Sequence, residues 1–287
     1  MNGDQEYITY DYKKYSCKDE LRMDLAFDFL ENREKVNPFF LFMSYRSPHS
    51  FEGPIRDTLF YADQDWPDTE KAHAAKITLL DRQIGRFLKQ LEKVGVLDNT
   101  LVVFTSDNGP NFAFGGHDLE FFNSNGTLRE GKRDLYEGGI RVPMLVSWRG
   151  NVSPGTRTEH ILGLQDVMST FAEIEGETIS EQTDGISFLP LLVGEKQKEH
   201  DFLNWEYQMC GWFQTLTTGG FRQSIRQENW KAVCYGVKTE TELYNLDHDI
   251  SEAHNLAEEY PQIVEEMNVQ FASARTETPE FPFGRIV

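Results

Sequence analysis

The spacing of apolar residues changes period several times along the chain, and each change predicts an element. Between residues 20 and 33, Leu21, Leu25, Phe27, Phe29 and Leu30 alternate with charged residues, the pattern of an amphipathic helix. Asn37-Pro38 breaks it. Phe39-Phe40-Leu41-Phe42-Met43-Ser44-Tyr45 then runs almost unbroken, as a strand buried on both faces of a parallel sheet reads. It ends in the polar loop Arg46-Ser47-Pro48-His49, and residues 50–66 show no period. A long helix is predicted from a cap at Asp68 to about Lys93, with Ile77, Leu80, Ile84, Phe87, Leu88 and Leu91 on its inner face. Gly95 closes it and Asp98-Asn99 turns. Leu101-Val102-Val103-Phe104-Thr105 is a second buried strand, running into Ser106-Asp107-Asn108-Gly109-Pro110.

A polar, glycine-rich loop follows from Asn111 to Gly139, and loops of that length inside a compact domain usually serve a function. Arg141 to Trp148 reads as a third strand whose Pro143 puts its start at an edge or bulge. Leu162 to Ile174 reads as a helix. This alternation of strands and helices predicts an α/β architecture, a mostly parallel central sheet flanked by helices, over residues 1–200. From residue 201 the character changes. Arg222–Ile225, Trp230–Tyr235 and Glu242–Asn245 are short strands separated by turn residues, and Tyr260–Phe271 is an amphipathic helix. Residues 201–287 are therefore expected to form a small antiparallel α+β subdomain.

Composition narrows the function. The 287 residues suffice for one large domain, or for one domain and a smaller one. Lysine and arginine number 28 against 47 aspartates and glutamates, a net charge of −19. Such a chain repels nucleic acid and anionic membrane alike, so an anionic ligand must be met by a few local cations, a metal ion or oriented amides. No apolar run approaches the roughly 18 residues a membrane-spanning helix requires. Cys17, Cys210 and Cys234 form no close pair and read as unpaired thiols, with one disulfide as the alternative. Met1 to Glu6 has neither a basic nor an apolar segment, so no signal peptide is expected, and a strand-like patch at Tyr7–Tyr10 follows almost at once.

Ligands of open α/β sheets gather at the carboxyl ends of strands. Two such ends carry polar groups here, His49 after the first strand and Asp107-Asn108 after the second. A carboxylate beside a carboxamide offers hard oxygens suited to Ca²⁺ or Mg²⁺, and Gly109 lets the backbone turn so that both aim one way. An Asx-turn ending a strand fits the same residues. Lys132, in the long loop, is a candidate anion clamp or a solvated lysine; His117-Asp118, after Gly115-Gly116, has the same two readings. Spacing alone does not join these positions into one site.

Several segments in register resemble the type I sulfatases, arylsulfatase A-like members of the alkaline phosphatase superfamily. Pro38–Phe42 with Pro48-His49 looks like the central strand of that family and its Pro-His loop. Asp81-Arg82-Gln83-Ile84-Gly85 followed by Leu91 resembles its helix, and Asn99 to Gly109 its metal loop. Phe122 to Gly126, Gly131-Lys132 and Tyr136-Glu137-Gly138-Gly139-Ile140-Arg141-Val142-Pro143 resemble its lysine loop. Glu242-Leu243-Tyr244-Asn245-Leu246-Asp247 through Glu252-Ala253-His254-Asn255-Leu256-Ala257 resembles its C-terminal signature.

The resemblance implies an alkaline phosphatase-like fold and a sulfuric ester hydrolase acting on a sulfated carbohydrate or an aryl sulfate. It implies that Asp107 and Asn108 ligate a divalent cation, calcium or alternatively magnesium. It implies that His49 and Lys132 are catalytic and contact the sulfate, and that His117 and Asp118 lie on the sugar side. No nucleic-acid partner and no membrane insertion are expected, and the compartment implied is the periplasm, the lysosome or the cell exterior. The family nucleophile, a formylglycine made from cysteine or serine in Cys-x-Pro/Ala-x-Arg, has no counterpart in this sequence, and the N-terminal Asp-Asp metal pair is also absent. The chain thus reads as the C-terminal portion of such an enzyme, incomplete at the N-terminus and inactive alone. A non-catalytic module binding sulfated glycans, or a phosphoesterase of the same superfamily, are the alternatives.

Overall fold

The computed structural model describes residues 15, 18–49, 59–111, 117–179, 183–208, 220–236 and 239–279. Tyr7–Tyr10, Cys17, Gly115-Gly116 and Cys210 lie outside the described residues; Cys234 is a free thiol. The chain divides into two units, residues 1–100 with 111–122, and residues 101–110 with 123–287.

In the first unit α1 (Lys18–Asn32) packs on α2 (Asp68–Lys93). Leu21, Met23, Ala26 and Leu30 form the buried stripe of α1. The inner face of α2 is rotated from the expected one: Ala75, Leu79, Gln83 and Leu91 are buried, whereas Ile77 is 47% exposed. Asp68 is the first helical residue and not the cap. Pro67 holds the cap position without a side-chain hydrogen bond, and the Asp68 carboxylate instead lies in the first turn, where the helix dipole favours an anion. At the other end Gly95 takes a left-handed φ of 75° and Val96 N–H returns to the Leu91 carbonyl at 3.0 Å, the closure expected of a C-terminal glycine. The short α3 (Leu119–Phe122) completes this unit.

Phe39–Tyr45 departs from expectation. It joins no strand ladder among the described residues, and Phe40 and Phe42 are 70% and 77% exposed. Among the described residues its backbone–backbone bonds are Tyr45 N–H to the Met43 carbonyl and His49 N–H to that of Arg46. The buried Asp19 carboxylate accepts the amides of Arg46 and Ser47 at 3.2 and 2.9 Å. A parallel strand needs neighbours to take its N–H and C=O groups, and none of the described residues supplies one.

In the second unit β1 (Val102–Thr105) pairs antiparallel with β2 (Met144–Ser147), Val102 opposite Ser147 and Thr105 opposite Met144. Pro143 immediately precedes β2, as its missing N–H requires. The expected mostly parallel pairing is therefore not found among the described residues: both sheets, of two and four strands, are antiparallel. Helical turns α4 (Glu137–Ile140) and α6 (Leu189–Leu192) flank the nine-residue α5 (Asp166–Ile174). The C-terminal sheet runs β3 (Leu203–Gln208), β4 (Phe221–Gln227), β5 (Trp230–Tyr235), β6 (Glu242–Asn245) in sequence order, and α7 (Pro261–Ser273) packs on β4.

The register of this sheet sorts its side chains into two faces. Ile225, Ala232 and Leu243 are cross-strand neighbours and meet Met267 and Phe271 of α7 in an apolar core. Arg226, Lys231 and Tyr244 are the neighbours on the opposite face, which carries the charge. That second face is what matters for the candidate site.

Candidate functional site

The loop after β1 and the loop before β2 touch backbone to backbone. Gly109 N–H donates to the Gly139 carbonyl at 2.9 Å, and Lys132 N–H to that of Pro110 at 2.7 Å. A Cβ on Gly109 would lie 1.8 Å from the Gly138 carbonyl oxygen; one on Gly138 would lie 2.1 Å from that of Glu130, and one on Gly139 2.0 Å from that of Asp134. Three glycines therefore let Asp107-Asn108 and Lys132 share one backbone-pinned assembly. Gly109 is needed for this close approach and not, as the sequence suggests, for a special turn: it is not among the residues with positive φ.

Asp107 is exposed, and Asn108 and Lys132 are half-buried. Asn108 Nδ2 donates to the Gly109 carbonyl at 3.0 Å, which leaves its Oδ1 as an acceptor. The ammonium of Lys132 makes no hydrogen bond or ion pair among the described residues. In a chain of net charge −19, such a cation is a candidate for meeting an anion.

α4 carries the Gly138-Gly139 pair, and the charged face of the C-terminal sheet fixes it. Lys231 is fully buried and bridges Glu137 and Glu252, with Nζ 2.9 Å from each carboxylate. Glu137 N–H donates to Glu252 Oε2 at 2.6 Å. Burial works against the charge of Glu137, yet Lys231, Arg226 and Arg141 together hold its carboxyl below the usual range. For Glu252 burial wins over Lys231 and pushes the carboxyl up. Arg129 lies 3.8 Å over the Tyr136 ring, donates to Tyr244 Oη at 2.9 Å and to the Glu252 carbonyl at 3.0 Å, and its own carbonyl accepts Gly138 N–H. Arg222 pairs with Asp134, which also accepts Tyr235 Oη–H at 3.1 Å.

The other sequence-derived candidates belong to the first unit. Glu70 on α2, almost fully buried, lies 2.5 Å from His117 Nδ1 and accepts the Asp118 amide at 2.8 Å. The Asp118 carboxylate in turn accepts the amide of Glu120 at 3.0 Å, which caps α3. The ring of His73 stacks on that of His117 with centroids 3.6 Å apart and planes 4° apart. Burial, then the neighbouring His117, pulls the His73 imidazole down to about 4. The carbonyl of His49 accepts Lys76 Nζ from α2 at 3.2 Å. Sequence spacing pairs neither Glu70 nor His73 with His117, and nothing in it pairs Glu137 with Lys231. The signals available were a carboxylate and a histidine on one helix face, and the acidic positions inside the Tyr136–Gly139 and Glu252–Ala257 motifs.

No group of three or more His, Cys, Asp and Glu able to hold a metal ion occurs among the described residues. Asp107 and Asn108 fit a hard divalent cation in donor type, but they supply two oxygens of the roughly six to eight calcium takes. Two oxygens alone do not complete such a site.

The sequence profile of the sulfatase family matches residues 2–176, and that of N-sulphoglucosamine sulphohydrolase, C-terminal, matches residues 130–277. Steryl-sulfatase of Rattus norvegicus is 33% identical, over 72% of this chain and 34% of its own length. N-acetylgalactosamine-6-O-sulfatase of Bacteroides thetaiotaomicron is 28% identical, over 84% of this chain and 48% of its own. The crystal structure of Ps i-CgsB in complex with k-i-k-neocarrahexaose superposes with a TM-score of 0.76 at 25% identity, over 95% of this chain and 56% of that one. The chain spans about a third to a half of the length of these curated relatives. The α/β class expected from the sequence stands on this likeness, although the parallel pairing does not occur among the described residues. On the profile match, which covers more than half of its residues, the chain belongs to the sulfatase family, with the alkaline phosphatase-like α/β fold.

Proposed function

We propose that this chain serves the hydrolysis of sulfate monoesters on a carbohydrate. The observation that carries the reading is the pinned pair of loops: the backbone of the loop with Lys132, whose ammonium has no partner among the described residues, is bonded to the loop with the oxygen donors Asp107 and Asn108. As the S–O bond of the ester breaks, negative charge moves onto the leaving oxygen, and positive groups placed beforehand lower the barrier. Lys132 holds a sulfate oxygen. His49 gives its proton to the leaving alkoxide, so that the sugar departs as an alcohol. Asp107 and Asn108 contribute two ligands to a divalent cation, calcium in this reading, which when bound neutralises charge on the sulfate. His117, which Glu70 holds, and Asp118 serve substrate binding in this reading. The nucleophile, a formylglycine in this reading, is not encoded in this sequence, which lacks the Cys-x-Pro/Ala-x-Arg motif.

Carbohydrate is favoured as the carrier of the sulfate because one relative bears an N-acetylgalactosamine-6-O-sulfatase name and the superposable solved structure holds an oligosaccharide. The rat relative is named for steryl sulfate, which makes that ester the informative competitor. The compartment that goes with this chemistry is the periplasm, the lysosome or the cell exterior; no helix among the described residues is long and apolar enough to cross a membrane.

Calorimetric titration of the purified chain with a sulfated oligosaccharide, its desulfated form and a steryl sulfate, with and without calcium, tests the proposal. Binding is expected for the sulfated oligosaccharide, strengthened by calcium and weakened at least tenfold by Lys132→Ala. Equal binding of the desulfated sugar, or no effect of that substitution, overturns it. The absent nucleophile motif favours a second reading, a non-catalytic glycan-binding module. Binding that is indifferent to calcium and to Asp107→Ala would select that reading.

A further inference from the structure

Lys231, Glu137 and Glu252 are all but removed from solvent, and the proposed reaction uses none of them. Burying one cation between two carboxylates is costly unless every partner is satisfied, and such a cluster seldom adds stability over an apolar one. Its geometry is better explained by what it points at. Lys231 stands on the charged face of β5 and Glu252 in the turn after β6, whereas Glu137 opens α4. The next two residues of α4 are Gly138 and Gly139. Gly139 accepts the Gly109 amide, and Gly138 lies against Gly109 at a distance no side chain tolerates. Gly109 directly follows Asp107-Asn108, and the Pro110 carbonyl holds the amide of Lys132.

We infer that the Lys231–Glu137–Glu252 cluster is a positioning device for the sulfate-ester site, through which the C-terminal sheet sets the placement of both the Asp107-Asn108 loop and the Lys132 loop. The inference deepens the proposed function and rests on it for the identity of the ligand. The three residues touch no substrate and act only through backbone contacts. Three directions are constrained at once: Lys231 Nζ holds the Glu137 side chain, Glu252 Oε2 holds its amide, and Arg129 holds the Gly138 amide through its carbonyl and Glu252 through its side chain. An apolar substitute for Lys231 fills the same volume but supplies none of these directional bonds.

The test uses the 287-residue chain and the substitutions Lys231→Met, Lys231→Arg and Glu252→Gln, with Ile225→Val on the apolar face of the same sheet as a control. Two readouts are taken at a temperature where all are folded: amide hydrogen exchange at Gly109 and Lys132, and affinity for a sulfated oligosaccharide in calcium. In Lys231→Met, exchange at those two amides is expected to rise at least tenfold and affinity to fall at least tenfold, while amides of β3–β6 stay protected. Lys231→Arg is expected to restore most of both. Ile225→Val lowers the melting temperature but leaves both readouts at the wild-type level. If Lys231→Met does not fold, Glu252→Gln, which keeps an acceptor for the Glu137 amide but weakens the hold on Lys231, carries the same expectation at smaller size. Wild-type exchange at Gly109 and Lys132 in a folded Lys231→Met or Glu252→Gln overturns the inference. Failure of the wild type to bind the sulfated oligosaccharide overturns the proposed function instead, and the exchange measurement still decides the coupling.

Discussion

The amide of Gly109 donates to the carbonyl of Gly139 across 2.9 Å, so the strand-end loop with Asp107 and Asn108 is bonded to the helical turn that follows Lys132. Gly109→Ala puts a methyl 1.8 Å from the Gly138 carbonyl oxygen, against backbone that has no rotamer to yield. A cost of about 1–3 kcal/mol, or somewhat more, is expected in urea unfolding. Binding of a sulfated sugar is expected to fall with it. An unchanged unfolding midpoint would show that the two loops are not packed this way.

Asp107 is exposed and has no partner among the described residues, so Asp107→Ala should shift stability by no more than about 0.5 kcal/mol. Calcium affinity, followed by calorimetry, is expected to drop at least tenfold. A variant that binds calcium as the wild type does removes Asp107 from the ligand set.

His73 is stacked on His117, with Glu70 and Lys76 also acting on it, and its pKa is lowered to about 4, first by burial. A histidine whose folded pKa lies below the unfolded value of about 6.5 binds protons more readily when unfolded. Its contribution is therefore complete above pH 6.5 and declines as the pH falls toward 4. Thermal unfolding of the chain should show that slope, and His73→Phe, which keeps a ring but cannot titrate, should flatten it. The same slope in wild type and variant would assign the pH dependence to other groups.

Phe271 of α7 closes the apolar face formed by Ile225, Ala232 and Leu243. Phe271→Ala is expected to cost about 3–5 kcal/mol in chemical denaturation. Because the charged face lies on the other side of the sheet, the amides of Gly109 and Lys132 should stay protected as long as the variant is folded.

The purified chain should release no sulfate from an aryl sulfate above a Lys132→Ala control, since its sequence lacks the nucleophile motif. Phe40 and Phe42, 70% and 77% exposed, should also make it self-associate. Phe40→Ser with Phe42→Ser is expected to raise the monomer fraction in sedimentation; turnover by the unmodified chain would refute the first statement, and an unchanged sedimentation profile the second.

Local patterns read well from sequence where one periodicity dominated. The C-terminal limit of α2 at Lys93 and both limits of β5 and β6 coincide with the predicted ones, and α2 starts one residue earlier than its predicted cap allowed. β3 was not among the predicted strands, and β4 extends beyond the predicted Arg222–Ile225 because its ladder continues on both neighbours. Phe39–Tyr45 finds no strand partner among the described residues: an apolar run states what a segment would bury, but strand pairing depends on a neighbour that no local pattern contains.

The order of residue types along the chain was enough to determine the family and the net negative charge, and to single out Asp107, Asn108, Lys132, His49, His117 and Asp118 as candidates for meeting an anion or a metal. Only the tertiary structure decided that Gly109, Gly138 and Gly139 let two loops touch, that Glu70 grips His117, and that Lys231 and Glu252, about a hundred residues away along the chain, hold Glu137. The reason is physical. Helix and strand periods are written by nearest neighbours, whereas close backbone approach and buried ion pairs arise from residues brought together by folding, and their sequence separation leaves no period to read.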